Sequence, residues 1–437
     1  MQVSVEATGN IGRRMTVAVP SERFEKEFSE RLKRLSRTVR FPGFRPGKAP
    51  LKMIEAQYGE KVMQEVVSEL IRSSFYEAVT GQGLSPAGGP RIEPKALGRG
   101  KDLEYTAEFE IYPSIARLDI AGATIERPVC SVQPEDVERT LEIMRKQRTV
   151  WKPVERPGQV GDRLSIDFEG RLDDVPFEGG QARNFSLVLG GDVLIDGFEQ
   201  GLVGARAGEE RTLNLDFPAD YRNQQLAGKT AEFLVKVNRV EEPMLPEVDA
   251  DFARQFGIGD GSTDSLRAEV RANLEQEMEE RVHAAVRDQV FKAIMELNRF
   301  EIPKALQDAE VERLVQQRRA TLQSQGIPLE KAPVDPILFL DEARQRVALG
   351  LILAEIVKQR GLKVAPERVR ARIEKLAASY ESPQEFIQWH YSQPERLAQV
   401  ESVVLEEQAV ELLLQGAQVV DKPTGFQDLM QGNKPVT

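Results

Sequence analysis

One cysteine, Cys130, stands alone in this sequence, so no internal disulfide framework and no paired-cysteine metal or redox motif can form. The two histidines, His283 and His390, lie far apart, which excludes a histidine-rich metal centre. No apolar run approaches the ~20 residues that span a bilayer, and the N-terminus MQVSVEATGNIGRR lacks the basic-then-apolar pattern of a secretion signal. The chain therefore reads as soluble and cytoplasmic, with no membrane partner. Nucleotide and hydrolase motifs fail as well. Gly47-Lys48 is followed by Ala49 and has no glycine at the upstream spacing of a phosphate-binding loop. Gly257, Gly259 and Gly261 have no strand before them, so they read as a loop and helix cap rather than a dinucleotide site. Neither GxSxG nor HExxH occurs. No cofactor and no metal are expected.

What is present is a chain of 437 residues, long enough for about three domains, and 41% hydrophobic, enough for ordinary cores. Its net charge of −11 hides an asymmetry, because residues 1–60 carry twelve basic and only seven acidic side chains. From Arg31 to Lys52 there are eight basic residues and no acidic one. Such a block suits contact with a polyanion such as RNA; it also suits a solvated helix face beside a basic loop, and composition leaves both open.

The pattern along the chain predicts a multidomain α+β protein. Val3 and Val5, then Met15, Val17 and Val19, alternate as in half-buried strands, and Phe24, Phe28, Leu32, Leu35 and Val39 recur at helical spacing. The stretch FPGFRPGKAP (41–50) must break that helix, since it holds three prolines and two glycines. A second long helix follows from Pro50 to about Thr80, then a strand alternating from Leu103 to Ile111. Residues 1–113 thus read as an α+β domain and 114–150 as a linker with a helix near Pro134. Residues 151–243, rich in glycine, phenylalanine and β-branched residues, read as a small antiparallel β domain. Residues 244–437 read as an all-α domain of long helices. There Leu266, Val270, Leu274, Met278, Val282, Val286, Val290 and Ile294 recur every four residues, with prolines at helix starts and glycines just past the ends. The tail from Gly425 onward is expected to be loosely held.

Within the β domain, DFEG (167–170), PFEGG (176–180), FSLVLGG (185–191), LIDGFEQGLVGARAGE (194–209), FPADY (217–221) and AEFLVKV (231–237) resemble the FK506-binding-protein (FKBP) family of prolyl isomerases. Filling a core would by itself account for many of these rings; their order among the glycines is what carries the resemblance. It implies an antiparallel half-barrel whose proline pocket is built from Phe168, Phe177, Phe185, Leu194, Ile195, Phe198, Tyr221 and Phe233, with Glu178 facing the substrate carbonyl region. Three positions depart from the single-domain pattern: Phe168 replaces a tyrosine, Phe198 a tryptophan and Glu178 an aspartate.

An isomerase domain between an α+β domain with a basic loop and a long-helix domain resembles the bacterial trigger factor family of ribosome-associated chaperones. The loop GFRPGKAP is similar to that family's docking signature, and LRAEVRANLE (266–275) and LEEQAVELLL (405–414) are similar to its C-terminal part. The resemblance implies that Phe44 and Arg45, assisted by Lys48, contact a ribosomal protein at the tunnel exit. The basic stretch would face ribosomal RNA, and the helical domain would hold nascent and unfolded polypeptides without ATP. It also implies a homodimer off the ribosome. The alternative is a free cytosolic FKBP-type isomerase that recruits protein partners without ribosome docking.

Overall fold

A computed structural model describes residues 1–432 except Gly43, Arg45, Pro46, 97–99, Asp174, Asp192, Asp220, Arg222, Lys331, Ala378, Ser379 and Glu381. The chain divides into two compact units, residues 1–127 with 284–422, and residues 128–283 with the segment from 423 onward.

The first unit opens with strands β1 (Gln2–Ala7) and β2 (Gly12–Val19), the basic helix α1 (Ser21–Thr38) and the long helix α2 (Leu51–Gly81). Strands β3 (Arg91–Ala96) and β4 (Leu103–Glu110) complete an antiparallel sheet in the order β1-β2-β4-β3. The predicted alternation is realised: Met15, Val17 and Val19 lie buried beside Tyr105 and Ala107, under Phe24, Phe28 and Leu32 of α1. Strand β3, which no alternation in the sequence marks, contains Pro94. It lies at the sheet edge, where the missing N–H costs no ladder bond. Between α1 and α2 the proline-rich stretch turns the chain, with Gly47 in the left-handed region at φ 81°. Phe41 packs against the core, and the Phe44 ring stands edge-on to it at 6.1 Å.

Strand β5 (Thr124–Val129) follows, then helix α3 (Pro134–Gln147), whose Val137 and Leu141, four residues apart on one face, are buried. The second unit carries the β domain: β6 (Val150–Val154), β7 (Arg163–Leu172), β8 (Val175–Val188), the one-turn helix α4 (Phe198–Leu202), β9 (Glu210–Asp216) and β10 (Thr230–Met244). Strand β10 is central. One of its edges carries β7, which pairs onward with β8, and the other carries β9 and β6 in succession. A short helix α5 (Ala250–Gln255) is capped by the Asp249 carboxylate, which accepts from the N–H groups of Asp251 and Phe252.

Helix α6 (Thr263–Leu297) carries the four-residue repeat read in the sequence. Such a repeat rotates about 40° around a helix at each step, so the stripe changes face along its length. Leu266 and Val270 join the core of α3 and α5 in the second unit. Val286, Val290 and Ile294 join a core of the first unit with Ile120, Ile125, Ile352, Ile356 and Leu413. Segment 115–125 thus contributes core residues rather than serving only as a tether. The remaining helices are α7 (Lys304–Ser324), α8 (Leu340–Arg360), α9 (Pro366–Ala377), α10 (Pro383–Tyr391) and α11 (Pro394–Leu414), with Gly361 at φ 61° ending α8. The C-terminal part is helical as expected, with one strand near its end, while the tail expected to be loosely held forms a short helix. Strand β11 (Gln418–Pro423) pairs with β5, and α12 (Phe426–Gln431) buries Leu429. A run as short as QVVDKP becomes a strand only because a partner edge is available. Among the described residues, no helix is long and apolar enough to cross a membrane, and no group of His, Cys, Asp or Glu is arranged to hold a metal ion.

Candidate active site

The β domain folds around one cleft of about 390 Å³, within the usual range for small-ligand pockets. Its floor is Phe198, buried at the start of α4. Gly197 places it there: with φ at 87° this residue reverses the chain in a conformation that disfavours a side chain, and its N–H donates to Gln200 Oε1 at 3.0 Å. Phe233 on β10 stands edge-to-face with Phe198, the centroids 5.4 Å apart. Phe168 on β7 stands similarly at 5.7 Å from Phe198. Phe177 on β8 closes one side, at 6.0 Å from Phe233. These edge-to-face contacts suit ring quadrupoles and hold the rings upright around an empty centre.

The other wall comes from the loop after β8. Buried Glu199 on α4 turns its carboxylate back into this loop, accepting from Gly190 N–H at 2.8 Å and Val193 N–H at 2.9 Å. That carboxylate sets the position of Val193, Leu194 and Ile195, all of which line the cleft. Tyr221 completes the rim, 37% exposed, with its ring against Phe217 at 4.6 Å.

Of the residues implied by the family resemblance, Phe168, Phe177, Leu194, Ile195, Phe198, Tyr221 and Phe233 are brought together around the cleft. Phe185 is not in the lining; it stands behind, edge-on to Phe168 at 5.8 Å, and supports that ring. The Glu178 side chain lies outside the described residues. Phe217, Val193, Gly179, Asp196 and Pro218 also line the cleft and were not assigned to it. For Phe217 a signal existed in the FPADY motif; the ring sits 5.9 Å from Phe177.

Electrostatics support the scaffold rather than the cleft. Asp162, at the start of β7, is paired with the Arg156 guanidinium and accepts from Gln159 N–H at 2.8 Å. Burial pushes its carboxyl up, but these donors outweigh burial and hold it below the usual carboxylate range. Asp167 is held low by the N–H of Asn184 and then by the Asn238 amide, which pins the bulge where β7 and β8 lose register. Among the described residues, the aromatic floor of the cleft carries no acid, base or nucleophile. A ring-lined concavity of this kind can bind a small ring and favour the less polar form of an attached amide.

The docking residues implied by the resemblance lie on the turn between α1 and α2. Phe44 is 39% exposed and Lys48 is exposed, while Arg45 lies outside the described residues. Arg31 in the basic stretch is partly neutralised by Glu65 and Glu69, each 3.5 Å away on α2.

Comparison with known proteins decides the family. Residues 1–144 match "Bacterial trigger factor protein (TF)", 155–238 match "FKBP-type peptidyl-prolyl cis-trans isomerase", and 262–415 match "Bacterial trigger factor protein (TF) C-terminus". The Trigger factor of Azotobacter vinelandii is 48% identical over 99% of this chain and 98% of its own length. That of Nitrosospira multiformis is 46% identical over 98% of this chain and 99% of its own. The chain belongs to the trigger factor family. It is a trigger factor-type chaperone with an FKBP-type prolyl isomerase domain, and the cleft lies inside that domain. Matches on both flanks of the isomerase favour the ribosome-associated reading over a free isomerase with unrelated recruiting domains.

Proposed function

We propose that the aromatic cleft is where X–Pro peptide bonds are isomerised, with the proline ring resting on Phe198 between Phe168, Phe177 and Phe233, and Tyr221 at the rim. The barrier to amide rotation is ~18–20 kcal/mol because resonance gives the C–N bond double-bond character. Twisting the amide localises the nitrogen lone pair and reduces the bond's polarity, so a dry apolar site binds the twisted state better than water does. Each ~1.4 kcal/mol of that preference speeds rotation tenfold. Leu194 and Ile195 exclude water and Phe185 steadies Phe168, while the family resemblance assigns Glu178 to the substrate carbonyl region. The observation that carries this reading is the convergence of six rings from β7, β8, α4, β10 and the Phe217–Tyr221 segment on one concavity.

In the same reading, residues 1–113 moor the chaperone at the ribosomal tunnel exit through Phe44, Arg45 and Lys48, with the basic stretch facing ribosomal RNA. Exposed Phe44 beside a glycine-proline turn supports this placing. Residues 151–243 act as the isomerase, 114–150 link it to the N-terminal domain, and 244–437 hold nascent and unfolded chains by weak, many-site contacts. Off the ribosome the protein works in the cytoplasm as a homodimer. Two measurements test the two halves. Phe198→Ala should abolish isomerisation of a proline tetrapeptide while the protein stays folded; retained activity refutes the cleft assignment. Phe44→Ala/Arg45→Ala should lose ribosome co-sedimentation; equal sedimentation with wild type refutes the docking assignment.

A further inference from the structure

Asp196 is the only charged residue among the described residues lining the cleft. It sits on the bend between Ile195 and Gly197, exposed, and among the described residues no hydrogen bond or ion pair engages its carboxylate. Its backbone is nevertheless fixed on both sides. Phe198 N–H donates to Ile195 O at 3.1 Å, Gly197 N–H donates to Gln200, and the Glu199 carboxylate anchors Val193 three residues upstream. A side chain at this point is therefore held at the cleft mouth instead of being free to swing away with a mobile loop.

An unpaired carboxylate at the lip of an apolar concavity acts through a medium less polarisable than bulk water, so its field reaches an incoming segment only partly screened. Any peptide that seats a proline on Phe198 must carry its flanking residues past this lip. We propose that Asp196 is a specificity-determining residue of the isomerase: it favours segments with lysine or arginine next to the proline and disfavours those with aspartate or glutamate there. The inference rests on the reading of the cleft as the isomerase site. Its contribution acts on binding and on the twisted state alike, since the flanking charge does not change during rotation. The preference thus appears mainly in KM.

The test uses the full chain and three proline tetrapeptides with lysine, leucine or glutamate before the proline, and a second set with the same residues after it. In 10 mM salt, where screening acts over about 30 Å, the kcat/KM for lysine should exceed that for glutamate by about 5–10-fold in at least one set. In 1 M salt, with screening at about 3 Å, the ratio should fall below about 2. Asp196→Asn should bring the low-salt ratio close to one, and Asp196→Lys should invert it. Wild-type ratios near one in both sets, with the leucine peptides turned over, overturn the inference and leave the isomerase reading standing. A lysine preference that survives Asp196→Asn overturns it too. Failure to turn over the leucine peptides would instead sink the isomerase reading itself.

Discussion

Phe233 and Gly170 face each other across β10 and β7 so closely that a β-carbon on Gly170 would lie 2.6 Å from Phe233 Cε1. The same β-carbon would come within 2.8 Å of Phe177 Cζ, and one on Gly180 would meet Phe177 from its other side, also at 2.8 Å. The Phe177 ring is thus seated between two bare backbones, and the cleft owes its width to glycine. Gly170→Ala should push Phe177 and Phe233 inward, with an overpacking cost of about 1–3 kcal/mol. Isomerase kcat/KM on a proline tetrapeptide should drop at least about tenfold, since each ~1.4 kcal/mol of lost transition-state complementarity is a factor of ten. Unchanged kinetics would show that the rings have room to give.

Asp162 links pH to the stability of the β domain. Its folded carboxyl titrates below the unfolded value of about 3.9, so the stabilisation is complete above that value and disappears as pH falls through the lower folded one. Asp162→Asn should cost about 1–2 kcal/mol at pH 7, a range reduced because Arg156 is partly open to solvent. The difference from wild type should shrink below pH 4. Urea unfolding read by Trp151 fluorescence in a Trp389→Phe background reports on this sheet, where Trp151 lies under Arg163 at 4.8 Å.

In the N-terminal core, the hydroxyls of buried Tyr105 and Ser74 are 2.9 Å apart. Burial raises the Tyr105 pKa above the ordinary phenol value. Tyr105→Phe removes this bond while Ser74 keeps its bonds to the carbonyls of Leu70 and Ile71. A loss of about 1 kcal/mol follows, read as roughly fivefold faster amide exchange in peptides from Leu103–Glu110.

Glu110 caps a helix that starts nearly two hundred residues later: its Oε2 accepts from Lys304 N–H at 2.6 Å, at the first turn of α7. Glu110→Ala should weaken that end by about 1 kcal/mol. Exchange should quicken in the first turn of α7 and stay unchanged beyond its middle. Uniform protection along α7 would show that the cap contributes nothing.

Much of this was legible in the residues. Helix limits followed from punctuation by proline and glycine, as at Gly361, Pro366, Pro394 and Gly416. The β domain announced itself through alternation, and seven of the nine implied cleft residues meet around the cleft. Phe185 does not line it, because the bulge between Ile166 and Phe168 shifts its strand and leaves the ring behind Phe168. Phe217 lines the cleft from within FPADY, a motif that carries the family resemblance without assigning this ring to the pocket. The strands Arg91–Ala96 and Gln418–Pro423 lack the alternation that marks a half-buried strand, and only partner edges reveal them.

Local order, then, came from the sequence alone: periodicity selects helix or strand, caps end them, and the glycine-aromatic order marks a prolyl isomerase domain between two trigger factor segments. Those signals act over a few residues and so are written in a few residues. Tertiary structure alone decided which distant pieces share a core, how Leu266 and Ile294 on one helical stripe come to serve different cores, and that Asp196 stands at the mouth of a ring-lined cleft. Such outcomes depend on contacts between residues tens to hundreds of positions apart, and no local pattern encodes a partner it does not touch until the chain has folded.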